Sequence, residues 1–126
     1  MHLLDTNILI GYLNGNKKIA DWVLDSKKEN PFSGLSISLI TKIEVLSLKT
    51  LKDSQIDDIE KFLDIFHIVS INDEIINLAA TLRRKDLLSL GDAIIAASAI
   101  YHKATLVTND KDLAKKAKNF IEVLSI

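Results

Sequence analysis

A chain of 126 residues, 48% hydrophobic and 26% charged, is long enough for one hydrophobic core and too short for two of ordinary size. A formal net charge of -1 excludes a chain-wide positive field of the kind that dominates sequence-independent DNA binding, so any nucleic-acid contact must use local basic patches. The absence of cysteine excludes a disulfide scaffold, a thiolate zinc site and a cysteine nucleophile, which leaves oxygen and histidine as metal donors.

In chain order, His2 to Leu4 is a short apolar strand ending in Asp5-Thr6-Asn7, whose side chains suit the cap of a helical run from Ile8 to Leu13. Asn14-Gly15-Asn16 breaks that run, and Ile19, Trp22, Val23 and Leu24 recur at helical spacing up to Lys28. The segment Glu29 to Gly34 carries the only proline and reads as a loop. Leu35 to Ser38 is a second strand. Leu39 to Leu51 is expected as a helix with Ile40, Ile43, Ser47 and Leu51 along one face and Lys42 and Lys49 opposite.

A further amphipathic helix is expected over Ser54 to Phe66, and a third strand over His67 to Ile71. Asn72 caps a helix reaching about Lys85, and Gly91-Asp92 opens another that runs to Tyr101 or His102. Thr105 to Val107 is a fourth strand, Thr108-Asn109-Asp110 begins a short lysine-rich helix, and Phe120 to Leu124 closes the chain as a fifth strand. This alternation implies a single α/β domain over residues 1–126, a parallel sheet covered by helices on both faces, with a ligand site at the carboxyl ends of its strands. The N-terminus shows no basic leader or cleavage site and no apolar run approaches spanning length, so a cytoplasmic protein without a membrane partner is expected.

Two acids fall where such a site would lie: Asp5 after the first strand and Asp110 after the fourth. Each also has an ordinary reading as a helix N-cap. Glu44 projects among Ile40, Ile43, Ser47 and Leu48, on the face expected to point inward, where an unpaired carboxylate costs several kcal/mol. It needs a partner or a route to solvent. Asp92 begins the run Ala93 to Ile100, apolar or small almost all round, so its first turn is expected to be buried; there too a cap is an alternative. Taken together, four acids near strand ends or helix starts repel one another unless something positive sits between them. A hard divalent cation with oxygen ligands, such as Mg²⁺, meets that need without Cys or His.

Four segments carry a resemblance: Leu4 to Ile10, Thr41 to Leu46 around Glu44, Gly91 to Ala97, and Leu106 to Asp110. In order and spacing they resemble the four motif blocks of the PIN domain, most closely the small VapC-like toxins of prokaryotic toxin–antitoxin pairs. The resemblance implies a three-layer α/β/α fold around a five-stranded parallel sheet and endoribonuclease activity needing Mg²⁺ or Mn²⁺. It also implies a homodimer and inhibition by a cognate VapB-like antitoxin. It makes Asp5, Glu44, Asp92 and Asp110 the catalytic, metal-holding acids, with Thr108 a supporting hydroxyl and Asn7 a polar neighbour that orients ligands. Two departures stand out: Gly91 occupies a position where many relatives carry Pro, and Asp112 offers a second carboxylate that competes with Asp110 for the fourth role.

The cluster Arg83, Arg84 and Lys85 holds both arginines of the chain and is a candidate RNA contact, or simply a solvated helix end. Tyr12 and Trp22 read as core packing, and the resemblance offers an antitoxin groove as the alternative. His2, His67 and His102 are not grouped with the acids. The alternatives to a toxin are a PIN nuclease of RNA maturation or DNA flap cleavage, and a catalytically silent metal-binding PIN module. A receiver domain or a haloacid-dehalogenase-like phosphatase is disfavoured, the latter because Asn7 stands where its second Asp would be.

Overall fold

Five short strands form one parallel sheet in the order β3-β2-β1-β4-β5. They are β1 (His2–Leu4), β2 (Leu35–Ser38), β3 (His67–Val69), β4 (Thr105–Thr108) and β5 (Val123–Ser125). The computed structural model describes residues 1–29 and 35–126, so the loop expected at Glu29 to Gly34 falls, but for its first residue, outside the described residues. Around the sheet lie α1 (Thr6–Leu13), α2 (Lys17–Glu29), α3 (Leu39–Leu46), α4 (Ile56–Leu63), α5 (Asp73–Asp86), α6 (Leu90–His102) and α7 (Lys111–Ala117).

Side chains alternate across each strand, and that alternation divides the core in two. Leu3 and Leu106, paired in register, face α5, α6 and α7, where they meet Ile75, Leu82, Ala93, Ile95 and Leu113. Leu4, Ile37 and Val107 face the other way, onto Ile8, Leu9, Ile19, Val23, Val45 and Leu63 from α1 to α4. The result is the expected α/β/α sandwich, with β1 at its centre. Gly11 matters to one layer: a Cβ there would collide with Ile19 Cδ1, so its absence lets α1 and α2 close on each other.

α6 is the most buried helix of the sandwich, with Ala93, Ile95, Ala96, Ala97, Ser98 and Ala99 all inside. Its alanines keep it thin enough to lie between α5 and the sheet. It starts at Leu90, with Ser89 as the N-cap accepting from the Asp92 amide at 3.2 Å. The cap of this helix is therefore Ser89 and not Asp92.

Several boundaries differ from expectation: α1 starts at Thr6, α4 ends at Leu63, β3 ends at Val69, and three more differences have a visible cause. α3 ends at Leu46 instead of Leu51: Ser47 Oγ bonds back to the Ile43 carbonyl at 2.6 Å, and the chain continues in turns closed by Leu48 and Leu51 amides. Its buried residues are Thr41 and Val45, whereas Ile43, assigned to the inward face by its apolar character, is 53% exposed. The helix is turned so that polar Thr41 and Glu44, not Ile43, approach α1. The expected helix from Ser54 begins as a single 3₁₀ turn, Asp53–Gln55, before α4. At the C-terminus Phe120 is not in a strand; its amide bonds to Ala117 to close α7, and β5 starts three residues later.

Candidate active site

The chain lays down β1, β2 and β3 outward in one direction and then returns to place β4 on the other side of β1. The β1/β4 boundary is thus the topological switch point, where loops leaving adjacent strands diverge and open a crevice at their carboxyl ends. Asp5 leaves β1 and Asp110 follows β4 at that point. The Asp5 amide donates to the Val107 carbonyl at 2.9 Å, so the first residue beyond β1 is still held in the ladder of β4.

Asp5 is 2% exposed. It sits at the N-cap position of α1 but its side chain makes no capping hydrogen bond. Its Oδ2 instead accepts from Thr108 Oγ1 at 2.9 Å, across the switch point. Thr108 also accepts from the Asp110 amide at 3.0 Å, so one hydroxyl ties the first acid to the loop bearing the fourth. Burial pushes the Asp5 carboxyl up to about 6, and the charges of Asp92 and Asp110 add to that; the hydrogen bonds from Thr108 and the Thr6 backbone act in the opposite direction.

Asp92 lies in the first turn of α6, half-buried. Its pKa is raised, first by burial and then by the charges of Asp110, Glu44 and Asp112, with a hydrogen bond from Ser89 opposing. Glu44 comes from α3: its Oε1 accepts from Thr6 Oγ1 at 2.8 Å, and its carboxylate rests against Gly91, the residue before Asp92. Asp110 does cap its helix, with Oδ1 accepting from the amides of Asp112 at 2.9 Å and Leu113 at 3.1 Å. Asp112 is exposed and pairs with Lys116 at 3.1 Å, one turn along α7.

Asp5, Glu44, Asp92 and Asp110 thus converge on one end of the sheet from α1, α3, α6 and α7, close enough that Asp92 and Asp110 raise the cost of ionising Asp5, and Asp110 and Glu44 that of ionising Asp92. Among the described residues no three His, Asp or Glu side chains stand together as a formed metal cage. The donor set still fits a hard divalent cation: it is all oxygen, among the described residues no cationic side chain is paired to it, and it includes a buried carboxyl that ionises only reluctantly alone.

The remaining candidates are placed differently. Asn7 is exposed on the first turn of α1. Arg83, Arg84 and Lys85 are exposed at the end of α5; Arg84 donates to Thr81 at 3.3 Å. Arg83 borders an apolar groove of about 250 Å³ with Ile76, Ala80, Leu90 and Ile94, and Lys85 borders a second with Leu78, Ile100 and Phe120. Neither groove includes one of the acids. Tyr12 stacks on Phe62 at 5.2 Å and Trp22 meets the His2 ring edge-on at 6.0 Å, so both aromatics are engaged within the chain.

Sequence reasoning missed Thr6, Thr41 and Ser89. Thr6 and Thr41 are buried and their hydroxyls lie 3.0 Å apart, although 35 residues separate them. The available signal was Thr41 itself, a β-branched polar residue one turn before Glu44 on a helix otherwise rich in Leu, Ile and Val.

An acidic crevice at the switch point of a β3-β2-β1-β4-β5 parallel sheet defines a class, and the PIN-domain profile matches residues 2–119. The chain belongs to the PIN-domain family. Its shape is similar to chains in solved toxin–antitoxin assemblies. One is a toxin–antitoxin complex from Klebsiella pneumoniae, with 33% identity, 90% of this chain and 91% of that chain covered, and a TM-score of 0.73. A second is a DNA-bound VapBC from Salmonella typhimurium (21% identity, 98% and 96% covered, TM-score 0.81). A third is VapBC2 from Rickettsia felis bound to a promoter DNA fragment (23%, 99% and 98%, 0.77). Among curated proteins nothing matches the chain.

Proposed function

We propose that this chain is the toxin of a VapBC-like pair, an endoribonuclease that hydrolyses RNA phosphodiester bonds with Mg²⁺ or Mn²⁺ bound among Asp5, Glu44, Asp92 and Asp110. The observation that carries the reading is the buried Asp5 carboxyl, pushed up to about 6 while Asp92 and Asp110 bear on it. A fold gains nothing by burying an acid among acids, and perturbed carboxyls gathered in a crevice mark functional sites.

Asp5, Asp92 and Asp110 would hold the cation directly or through water, with Glu44 a further ligand or the group that positions the attacking water. When bound, the ion supplies a water of lowered pKa and neutralises charge developing on the phosphoryl group. Thr108 keeps the Asp5 carboxylate aimed by holding Oδ2. Asp110 is favoured over Asp112 as the fourth acid because its charge acts on both Asp5 and Asp92, whereas Asp112 acts on Asp92 and faces Lys116. Asn7 is the exposed polar neighbour of the site, and Arg83, Arg84 and Lys85 are the proposed phosphate contacts.

The partners follow from the same reading. The complexes named above hold toxin with antitoxin, which supports an antitoxin partner for this chain. The proposed assembly is a homodimer, and the exposed Ile76 and Leu90 beside the groove on α5 and α6 are apolar surface suited to such a contact. No helix among the described residues is long and apolar enough to cross a membrane.

Protein purified without antitoxin should cut total RNA when Mg²⁺ or Mn²⁺ is supplied and stop when the ion is chelated. Asp5→Asn and Asp92→Asn should abolish cutting. Full cleavage by either variant overturns the assignment, and cutting restricted to DNA flaps overturns the substrate.

A further inference from the structure

Glu44 is held from two sides by residues that directly adjoin two of the other acids. On one side is Thr6, next to Asp5: its hydroxyl lies 2.8 Å from Glu44 Oε1 and 3.0 Å from Thr41 Oγ1. A threonine has one hydroxyl proton, and a carboxylate can only accept. Thr6 therefore donates to Glu44, and the Thr41 hydroxyl must donate to Thr6. Thr41 is 0% and Thr6 6% exposed, so water does not compete for either bond.

On the other side is Gly91, next to Asp92. A Cβ built on Gly91 would lie 3.0 Å from Glu44 Oε2, 3.2 Å from Oε1 and 3.3 Å from Cδ, closer than such contacts normally come. The carboxylate occupies the space a side chain at position 91 would need. Gly91 has no positive φ, so what this position requires of glycine is its missing side chain and not its backbone freedom.

We propose that Thr6, Thr41 and Gly91 are positioning residues that clamp the Glu44 carboxylate between the β1–α1 junction and the start of α6. The one-way relay from Thr41 through Thr6 occupies Oε1, and the flat seat at Gly91 holds the carboxylate from the other side, with Oε2 nearest to it. The clamp fixes a long, flexible side chain that must reach the site from α3. This inference rests on the metal-dependent reading above.

The test uses the full chain and reads Mn²⁺ affinity by titration calorimetry, with kcat and KM on RNA as a second measure. Thr6→Val keeps shape and removes the hydroxyl. It should weaken Mn²⁺ binding by about tenfold and lower kcat while leaving KM for RNA nearly unchanged. Thr6→Ser should restore both. In a Glu44→Ala background Thr6→Val should have no further effect, because it acts through Glu44. Gly91→Ala approaches the same carboxylate from the opposite side and should also weaken Mn²⁺ binding, which keeps the test decisive if Thr6→Val folds poorly.

Wild-type affinity in both Thr6→Val and Gly91→Ala overturns the clamp while leaving the nuclease intact. So does an equal loss from Thr6→Val with and without Glu44, the mark of a purely structural threonine. A wild-type chain that takes up no Mn²⁺ overturns the metal-dependent reading itself, and the clamp with it.

Discussion

The β1–α1 and β4–α7 junctions share one local pattern, a strand followed by an aspartate at the start of a helix, yet they use the aspartate in opposite ways. At β4–α7, Asp110 Oδ1 accepts from two helix amides, a stabilising cap. At β1–α1, Asp5 makes no capping bond; it is buried, held by a hydroxyl from the other junction and repelled by its neighbours. One acid supports the fold and lends charge to the site, while the other is maintained at the fold's expense. The contrast separates an aspartate that stabilises its own helix from one that does not more sharply than position alone.

The largest expected effect lies at Asp5. Below 3.8 the group is protonated folded and unfolded and does not alter stability. Between 3.8 and about 6 the unfolded chain ionises while the folded chain keeps its proton, so the folded state binds more protons and stability falls as pH rises. Above about 6 the full loss, on the order of 3 kcal/mol, is present. Asp5→Asn should therefore raise the metal-free thermal midpoint at pH 8 and flatten the pH dependence between 4 and 6, while abolishing cleavage. An unchanged or lower midpoint at pH 8 would show that Asp5 is not under strain. Mn²⁺ should bind with proton release below pH 6, and calorimetry in buffers of different ionisation enthalpy will detect it.

Thr108→Val comes next, because it breaks both junctions together. It removes the donor to Asp5 and the acceptor of the Asp110 amide, and should destabilise by roughly 2 kcal/mol in urea unfolding. The Asp5 carboxyl should move still higher, observable by NMR titration of its side-chain carbon. Asp110→Ala should lose about 1 kcal/mol as an ordinary cap, opposite in sign to Asp5→Asn at pH 8. If both aspartate substitutions shift stability the same way, the contrast between the junctions fails.

The alternation of strands and helices, and the two-sided covering of the sheet, were readable because the periodicities of 2 and 3.6 survive in short segments. The different fates of Asp5 and Asp110 were not, since local sequence offers both as caps and the choice is made by Thr108, 103 residues from Asp5. Glu44 is legible as an inward acid, but Ile43 reads as inward with it because apolar residues ordinarily face the core. The site claims the inward face of α3 for Thr41 and Glu44, and Ile43 is left exposed. The Thr6–Glu44 bond joins residues 38 apart and leaves no local trace.

The smallest expected effect decides between neighbours. Asp112 and Asp110 stand two residues apart, and the sequence offers either as the fourth acid. Asp112 pairs with Lys116 across one exposed turn, a contact worth roughly 0.5 kcal/mol at most. Asp112→Ala should leave the urea midpoint almost unmoved and, because its charge bears on Asp92, should let Asp92 ionise slightly more easily. Mn²⁺ affinity should change little. Asp110→Ala, by contrast, removes a charge that both Asp5 and Asp92 feel, and should weaken Mn²⁺ binding well beyond its modest effect on stability. If the larger loss of affinity instead follows Asp112→Ala, then the α7 cap is only a cap, and the fourth acid lies one step further into the helix.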